Sequence, residues 1–111
     1  MTAAAIDPEL LRRGGLTLDV EGPRANITLA RPGVLNAQSP YTWEALRAIG
    51  ESLPGDVRAV VVRGEGRAFS AGLDRKFFTA TEVEGQPGLA GIAGLGDEEA
   101  DATIAAFQAG F

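Results

Sequence analysis

The sequence predicts an α/β domain on three observations: two runs of alternating apolar residues, an amphipathic helix after them, and a continuous β-branched run after the helix. In the first run Leu16, Leu18 and Val20 alternate with Thr17 and Asp19, the period of a strand with one buried face. Glu21-Gly22-Pro23-Arg24 interrupts it and Ala25-Asn26-Ile27-Thr28-Leu29 resumes the alternation, so the two strands read as a hairpin. Arg31-Pro32-Gly33 ends the second strand, because proline lacks the N–H a ladder needs and glycine relaxes the backbone. Ser39 then predicts an N-cap with Pro40 at the first helical position. Trp43, Leu46, Ile49 or Gly50, and Leu53 share one helical face, Glu44, Arg47 and Glu51 lie elsewhere, and Pro54-Gly55 stops the helix. Between Arg58 and Arg63, Ala59-Val60-Val61-Val62 lacks alternation, as expected of a strand covered on both faces.

The flanks carry weaker patterns. Residues 1–14 read as a polar lead, residues 15–83 as the core, and residues 84–96, rich in Gly and Ala, as a mobile loop. Over residues 97–111 Asp97 is expected to cap a last helix on which Ile104, Phe107 and Phe111 share a face, with Glu98 and Glu99 at its positive end. That helix reaches Phe111 without a C-cap, the expected look of a truncated chain.

Composition removes more chemistry than it suggests. A chain of 111 residues holds one small domain, and 45% hydrophobic with 23% charged residues is the balance of a globular one. The net charge of −5, without a run of Lys or Arg, argues against nucleic acid or an anionic membrane surface as partner. One small anionic ligand can still be held by a few cations and backbone N–H groups. With no Cys and no His, disulfides, thiolate nucleophiles, Ser-His-Asp relays and imidazole metal sites are excluded within this chain. Carboxylate acid/base work and stabilisation of charge by backbone donors remain. Neither a signal-peptide run nor a stretch of membrane-spanning length is present, so the expected location is the cytoplasm.

The most informative segment follows the β-branched run. From pattern alone, Gly64 to Lys76 fits an ordinary glycine turn as well as a ligand loop at the carboxyl end of a strand. The whole segment Val60-Val61-Val62-Arg63-Gly64-Glu65-Gly66-Arg67-Ala68-Phe69-Ser70-Ala71-Gly72-Leu73-Asp74, however, resembles the first signature of the crotonase (enoyl-CoA hydratase/isomerase) superfamily. That signature is a strand followed by G-x-G-(K/R)-x-F-(S/C)-A-G-x-D. Upstream, Arg31-Pro32-Gly33-Val34-Leu35-Asn36-Ala37 resembles the family's R-P-x-x-x-N-(A/S) segment, and the pair brackets a helix at the family's usual separation.

The resemblance implies that the chain is the N-terminal part, truncated, of a crotonase-like fold of repeated ββα units. It implies an acyl-CoA thioester as ligand, its carbonyl held in an oxyanion hole of two backbone N–H groups, one of them from Leu73. By the same resemblance Val34, Leu35 and Ala37 wrap backbone around the adenine and pantetheine of CoA, Ala71 and Gly72 lie where the ligand packs, and Lys76, helped by Arg75, sits near the phosphates. Asp74 is read as holding the turn that presents the N–H rather than as a general base. Coenzyme A enters as part of the substrate, so no separate cofactor and no metal are expected. Trp43 and Phe69 are expected in the core, Phe77 or Phe78 at the acyl pocket, and Glu65 with Arg67 as a solvated turn pair.

In the family the second oxyanion donor and the hydratase glutamates lie beyond a helix like the last one here. The expected function is therefore part of an acyl-CoA-processing enzyme, an enoyl-CoA hydratase/isomerase, whose full-length form is a homotrimer or dimer of trimers. The alternative is a non-catalytic truncated product that binds CoA weakly or acts only as an interaction fragment; the reading frame past Phe111 separates the two. A fragment of such a sheet exposes apolar surface. The 111-residue chain is therefore predicted to associate irregularly, as sedimentation would show; a monomer that melts cooperatively would contradict this.

Overall fold

In the computed structural model, which describes residues 6–74, 82–83, 86–87, 91–92 and 94–110, the first element is a short helix, α1 (Pro8–Gly14). It lies inside the stretch read as a polar lead, yet its punctuation is complete. The Asp7 carboxylate accepts from Glu9 N–H at 2.9 Å, and Pro8 takes the first turn, where no N–H is needed. Gly15 closes the helix at φ +69°, a left-handed conformation that favours glycine. With only two apolar positions turned to the core, Leu10 and Leu11, so short a helix shows no periodicity to read.

The hairpin forms as expected. β1 (Leu16–Glu21) pairs antiparallel with β2 (Arg24–Leu29) in a register running from Leu16 opposite Leu29 to Glu21 opposite Arg24, and Gly22 turns at φ +58°. A short 3-10 turn (Pro32–Val34) leads toward α2 (Pro40–Ser52). Thr42, at the third helical position, accepts from Ser39 N–H at 3.1 Å and donates its hydroxyl proton to Gly14 C=O at 2.9 Å. One side chain thus closes the start of α2 and ties it to the end of α1. Gly14 is where the helices touch: a Cβ there would lie 2.8 Å from Tyr41 O and 2.9 Å from the Ala45 Cβ.

The core consists of Ile6, Leu16, Ile27, Leu29, Ala45 and Ile49, with Leu46 and Leu53 packed at its edge. Between Ile49 and Gly50, Ile49 enters the core and Gly50 stays exposed. After α2 the chain returns as β3 (Ala59–Gly64), parallel to β2, giving the sheet order β1-β2-β3. β2, α2 and β3 form a βαβ crossover, but the expected burial of β3 on both faces is not found. Val60, Val61 and Val62 are 47%, 41% and 44% exposed, because among the described residues β2 is the strand's one neighbour and no layer covers it.

Within residues 84–96, read as a mobile loop, the described backbone includes one short strand and one helical pair. β4 (Glu82–Val83) and β5 (Gln86–Pro87) pair antiparallel, and Gly91 and Ile92 are helical, while residues 84–85, 88–90 and 93 of that stretch lie outside the described residues. The last helix, α3 (Asp97–Gln108), starts one residue earlier in its capping than expected. Gly96, in extended conformation, is the N-cap and accepts from Ala100 N–H at 2.9 Å, so Asp97, Glu98 and Glu99 all fall in the first turn, where the helix dipole favours them. Phe107 packs on Trp43 with ring centroids 5.1 Å apart, Ile104 is exposed, and Phe111 is outside the described residues. No helix among the described residues is long and apolar enough to cross a membrane.

Because the added methyl group would meet a carbonyl and a helix methyl that cannot both retreat, Gly14→Ala is predicted to destabilise the chain by about 1–3 kcal/mol, read as a lowered urea midpoint.

Candidate functional site

Two loops meet at the carboxyl ends of β2 and β3. Their meeting follows from the parallel register, which sets Leu29 beside Gly64, and Glu65 N–H donates to Leu29 C=O at 2.8 Å as the loops begin. In the first loop Leu35 and Asn36 both take left-handed backbone, at φ +53° and +55°. Asparagine tolerates this conformation; for leucine it is strained and is held by its surroundings. Those surroundings are the Leu35 N–H bond to Pro32 C=O at 3.1 Å and the Ala71 N–H bond to Leu35 C=O at 2.8 Å.

Asn36 is the staple between the loops. Its side chain is buried, with Oδ1 accepting from Arg31 N–H at 2.8 Å and Nδ2 donating to Glu65 C=O and Ala68 C=O, each at 2.9 Å. These are the three bonds a carboxamide readily makes, and two of them satisfy carbonyls of the second loop. In that loop Gly66 and Gly72 stand at φ +85° and +91°, the positive values that make them glycines.

Beyond Asn36 the loops run side by side as a one-bridge parallel ladder. Gln38 N–H donates to Gly72 C=O and Asp74 N–H donates to Gln38 C=O, both at 2.7 Å, with Leu73 opposite Gln38. The residue opposite in a parallel bridge turns its own amide groups away. A trans peptide also points its C=O and N–H in opposite directions, so a Gly72 C=O held by Gln38 sends Leu73 N–H to the other side. That N–H has no acceptor among the described residues.

A cleft of about 590 Å3 opens between the loops. The first loop lines it with Pro32, Gly33, Val34, Leu35 and Ala37; the second with Arg67, Ala71, Leu73 and Asp74. The structure thus brings Val34, Leu35, Ala37, Ala71, Leu73 and Asp74 together, while Gly72 forms the ladder behind the wall. Lys76, Arg75, Phe77 and Phe78 lie outside the described residues. The Asp74 carboxylate stands 3.7 Å from Arg31 Nη1, and the same guanidinium nitrogen donates to Ala37 C=O at 3.3 Å. Arg31 therefore ties Asp74 to the first loop. Among the described residues no group of carboxylates is arranged to hold a metal ion.

Two residues depart from the sequence reading. Arg67, read as half of a solvated turn pair with Glu65, is exposed but lines the cleft, while Glu65 contributes its carbonyl to Asn36. The signal available for Arg67 was its place at the basic position of the motif. Phe69, expected in the core, is 57% exposed. The loop doubles back so tightly that a Cβ on Gly64 would lie 2.4 Å from Phe69 O, which brings the Phe69 backbone inward and leaves the ring outside. Trp43 is buried as expected.

No family model and no curated protein sequence matches the chain. Solved structures do. A protein of Thermobifida fusca YX assigned as an enoyl-CoA hydratase is 40% identical over 94% of this chain and 38% of its own, with a TM-score of 0.82. Its structure in complex with CoA matches 98% of this chain and 40% of its own at a TM-score of 0.80, also at 40% identity. An enoyl-CoA hydratase/isomerase from Mycobacterium paratuberculosis is 39% identical over 65% of this chain and 27% of its own, with a TM-score of 0.52. With this fold, these two loops and this identity, the chain belongs to the enoyl-CoA hydratase/isomerase family, the crotonase superfamily. It spans about two-fifths of the length of the Thermobifida structures.

Asn36→Ala removes three hydrogen bonds of a buried side chain and leaves the Arg31 N–H and the Glu65 and Ala68 carbonyls without these partners, so it is predicted to cost about 2–4 kcal/mol in urea unfolding.

Proposed function

We propose that this chain contributes the CoA-binding cleft and one oxyanion donor of an acyl-CoA-processing enzyme, an enoyl-CoA hydratase/isomerase. The observation that carries the reading is Leu73 N–H, without an acceptor among the described residues and turned away from Gln38 at the wall of the cleft. Support comes from the related Thermobifida structures in complex with CoA and with acetoacetyl-CoA.

In this reading Val34, Leu35, Ala37 and Ala71 offer apolar side chains and backbone to the adenine and pantetheine, with Gly72 behind them. Arg67, and Lys76 with Arg75, supply cations for the phosphates, which accounts for anion binding by a chain of net charge −5. Leu73 N–H donates to the thioester oxygen. As a base removes the α-proton, or as water adds to the conjugated double bond, negative charge moves onto that oxygen. A fixed dipole already aimed there stabilises it without reorganising.

Asp74 keeps a structural role beside Arg31. The acid and base that hydration requires are assigned to the part of the longer relatives that this chain does not match. The family resemblance also carries the cytoplasmic, homotrimeric or double-trimeric reading of the full-length enzyme. Coenzyme A is part of the substrate in this scheme, with no further cofactor.

Equilibrium dialysis of the 111-residue chain against CoA and acetoacetyl-CoA tests the cleft: both are expected to bind, and Ala71→Trp, which fills the cleft, to abolish binding. Retention of neither ligand by the unaltered chain would overturn the reading. In a full-length enzyme carrying this segment, replacing the Leu73 amide by an ester removes the donor and is predicted to lower kcat by about 100- to 1,000-fold.

A further inference from the structure

Gly72 precedes the proposed donor and has the widest backbone freedom of any residue type, so something must hold it at φ +91°. Its C=O is held by Gln38 N–H at 2.7 Å, and its N–H donates to Ser70 Oγ at 3.1 Å. Ser70 Oγ also accepts from Gln38 Nε2 at 3.0 Å and donates to Asn36 C=O at 2.9 Å. A hydroxyl has one proton and two lone pairs, and all three are engaged; since Gly72 N–H and Gln38 Nε2 are donors, the proton goes to Asn36 C=O.

The Gln38 carboxamide is equally determined. Its Oε1 accepts from Trp43 Nε1–H at 3.1 Å. Indole is a donor only, so the flipped amide would set two donors against each other at Trp43, while its oxygen and Asn36 C=O would compete for the one Ser70 proton. Trp43 is itself buried in α2 under Phe107 of α3. An unbroken chain therefore runs from a packed indole through Gln38 and Ser70 to both backbone groups of Gly72, whose C=O shares a peptide with Leu73 N–H.

We propose that Gln38 and Ser70 are positioning residues: the Trp43–Gln38–Ser70 hydrogen-bond chain holds Gly72 and thereby sets the direction of Leu73 N–H. The proposal rests on reading that N–H as a donor to the bound thioester. Neither side chain touches the ligand in this scheme. Both act through Gly72, and a donor turned by tens of degrees loses much of its value to a developing charge.

Three substitutions test the chain of bonds in the full 111-residue protein, read by residue-level hydrogen exchange at Gly72 and by ultraviolet resonance Raman of the indole, which Trp43, the one tryptophan, reports without ambiguity. Ser70→Thr and Ser70→Val add equal bulk and differ in the hydroxyl. Ser70→Val is expected to speed Gly72 exchange about tenfold, the scale of one hydrogen bond, and Ser70→Thr to restore it. Gln38→Met is expected to speed it likewise and to shift the indole band to that of an unbonded N–H.

If the Ser70 variants do not fold, Trp43→Phe keeps a ring for Phe107, removes the indole donor together with some ring volume, and should also speed Gly72 exchange. Unchanged Gly72 exchange in Gln38→Met and in Ser70→Val, or in Trp43→Phe where it replaces the latter, would overturn the proposal, as would equal effects of Val and Thr. In a full-length enzyme, Ser70→Val is expected to lower kcat about tenfold at constant KM, with rescue by Ser70→Thr; a rise in KM alone would contradict positioning. Failure of the unaltered chain to retain CoA would instead count against the functional reading, while the exchange measurement would still report on Gly72.

Discussion

The carboxamide of Asn36 staples together two loops where they leave the sheet, ahead of the ladder that keeps them parallel. Its three bonds reach Arg31 N–H on one side and the Glu65 and Ala68 carbonyls on the other. Buried backbone groups that lose such partners are costly, so the loops are most stable when both close on this side chain. The rest of the cleft wall is built around it: Ala71 N–H reaches Leu35 C=O, Gln38 pairs beside Leu73, and Leu73 N–H, without an acceptor among the described residues, faces the other way.

The sheet makes that closure cheap. β2 and β3 are parallel and in register, so both chains leave the sheet at the same end. Open α/β sheets place ligands at the carboxyl ends of strands for this reason. The crossover helix α2 sets the spacing, anchored by Thr42 to Gly14 and by Ile49 and Ala45 in the core. Trp43, on the same helix, reaches Gln38 and so connects the core side of the molecule with the site.

The exposed valines of β3 fit the length relation to the Thermobifida structures, of which this chain spans about two-fifths. A β-branched run is suited to a covered strand, and what the run calls for is more sheet and helix than the described residues contain. The same fact bears on the site, since a second oxyanion donor and an acid/base pair are needed to complete the chemistry proposed here.

Local signals sufficed for much of this protein. The alternation of β1 and β2, the Ser39-Pro40 start and Pro54-Gly55 end of α2, and the glycines at positions 66 and 72 are legible because each is decided within a few residues of its own position. The motif around Asn36 and Gly72 led to six of the residues that line one cleft. What the sequence left unread depends on which segments oppose one another. Arg67 reaches the cleft and Phe69 is turned out because the second loop doubles back on Gly64. β3 is bare because no described layer covers it, and α1 docks on α2 where Gly14 fits against Ala45. The direction of Leu73 N–H is the clearest case: the sequence names the residue, but a peptide takes its orientation from the groups that bond its neighbours, here Gln38 across the ladder, and those are known only once the chain has folded.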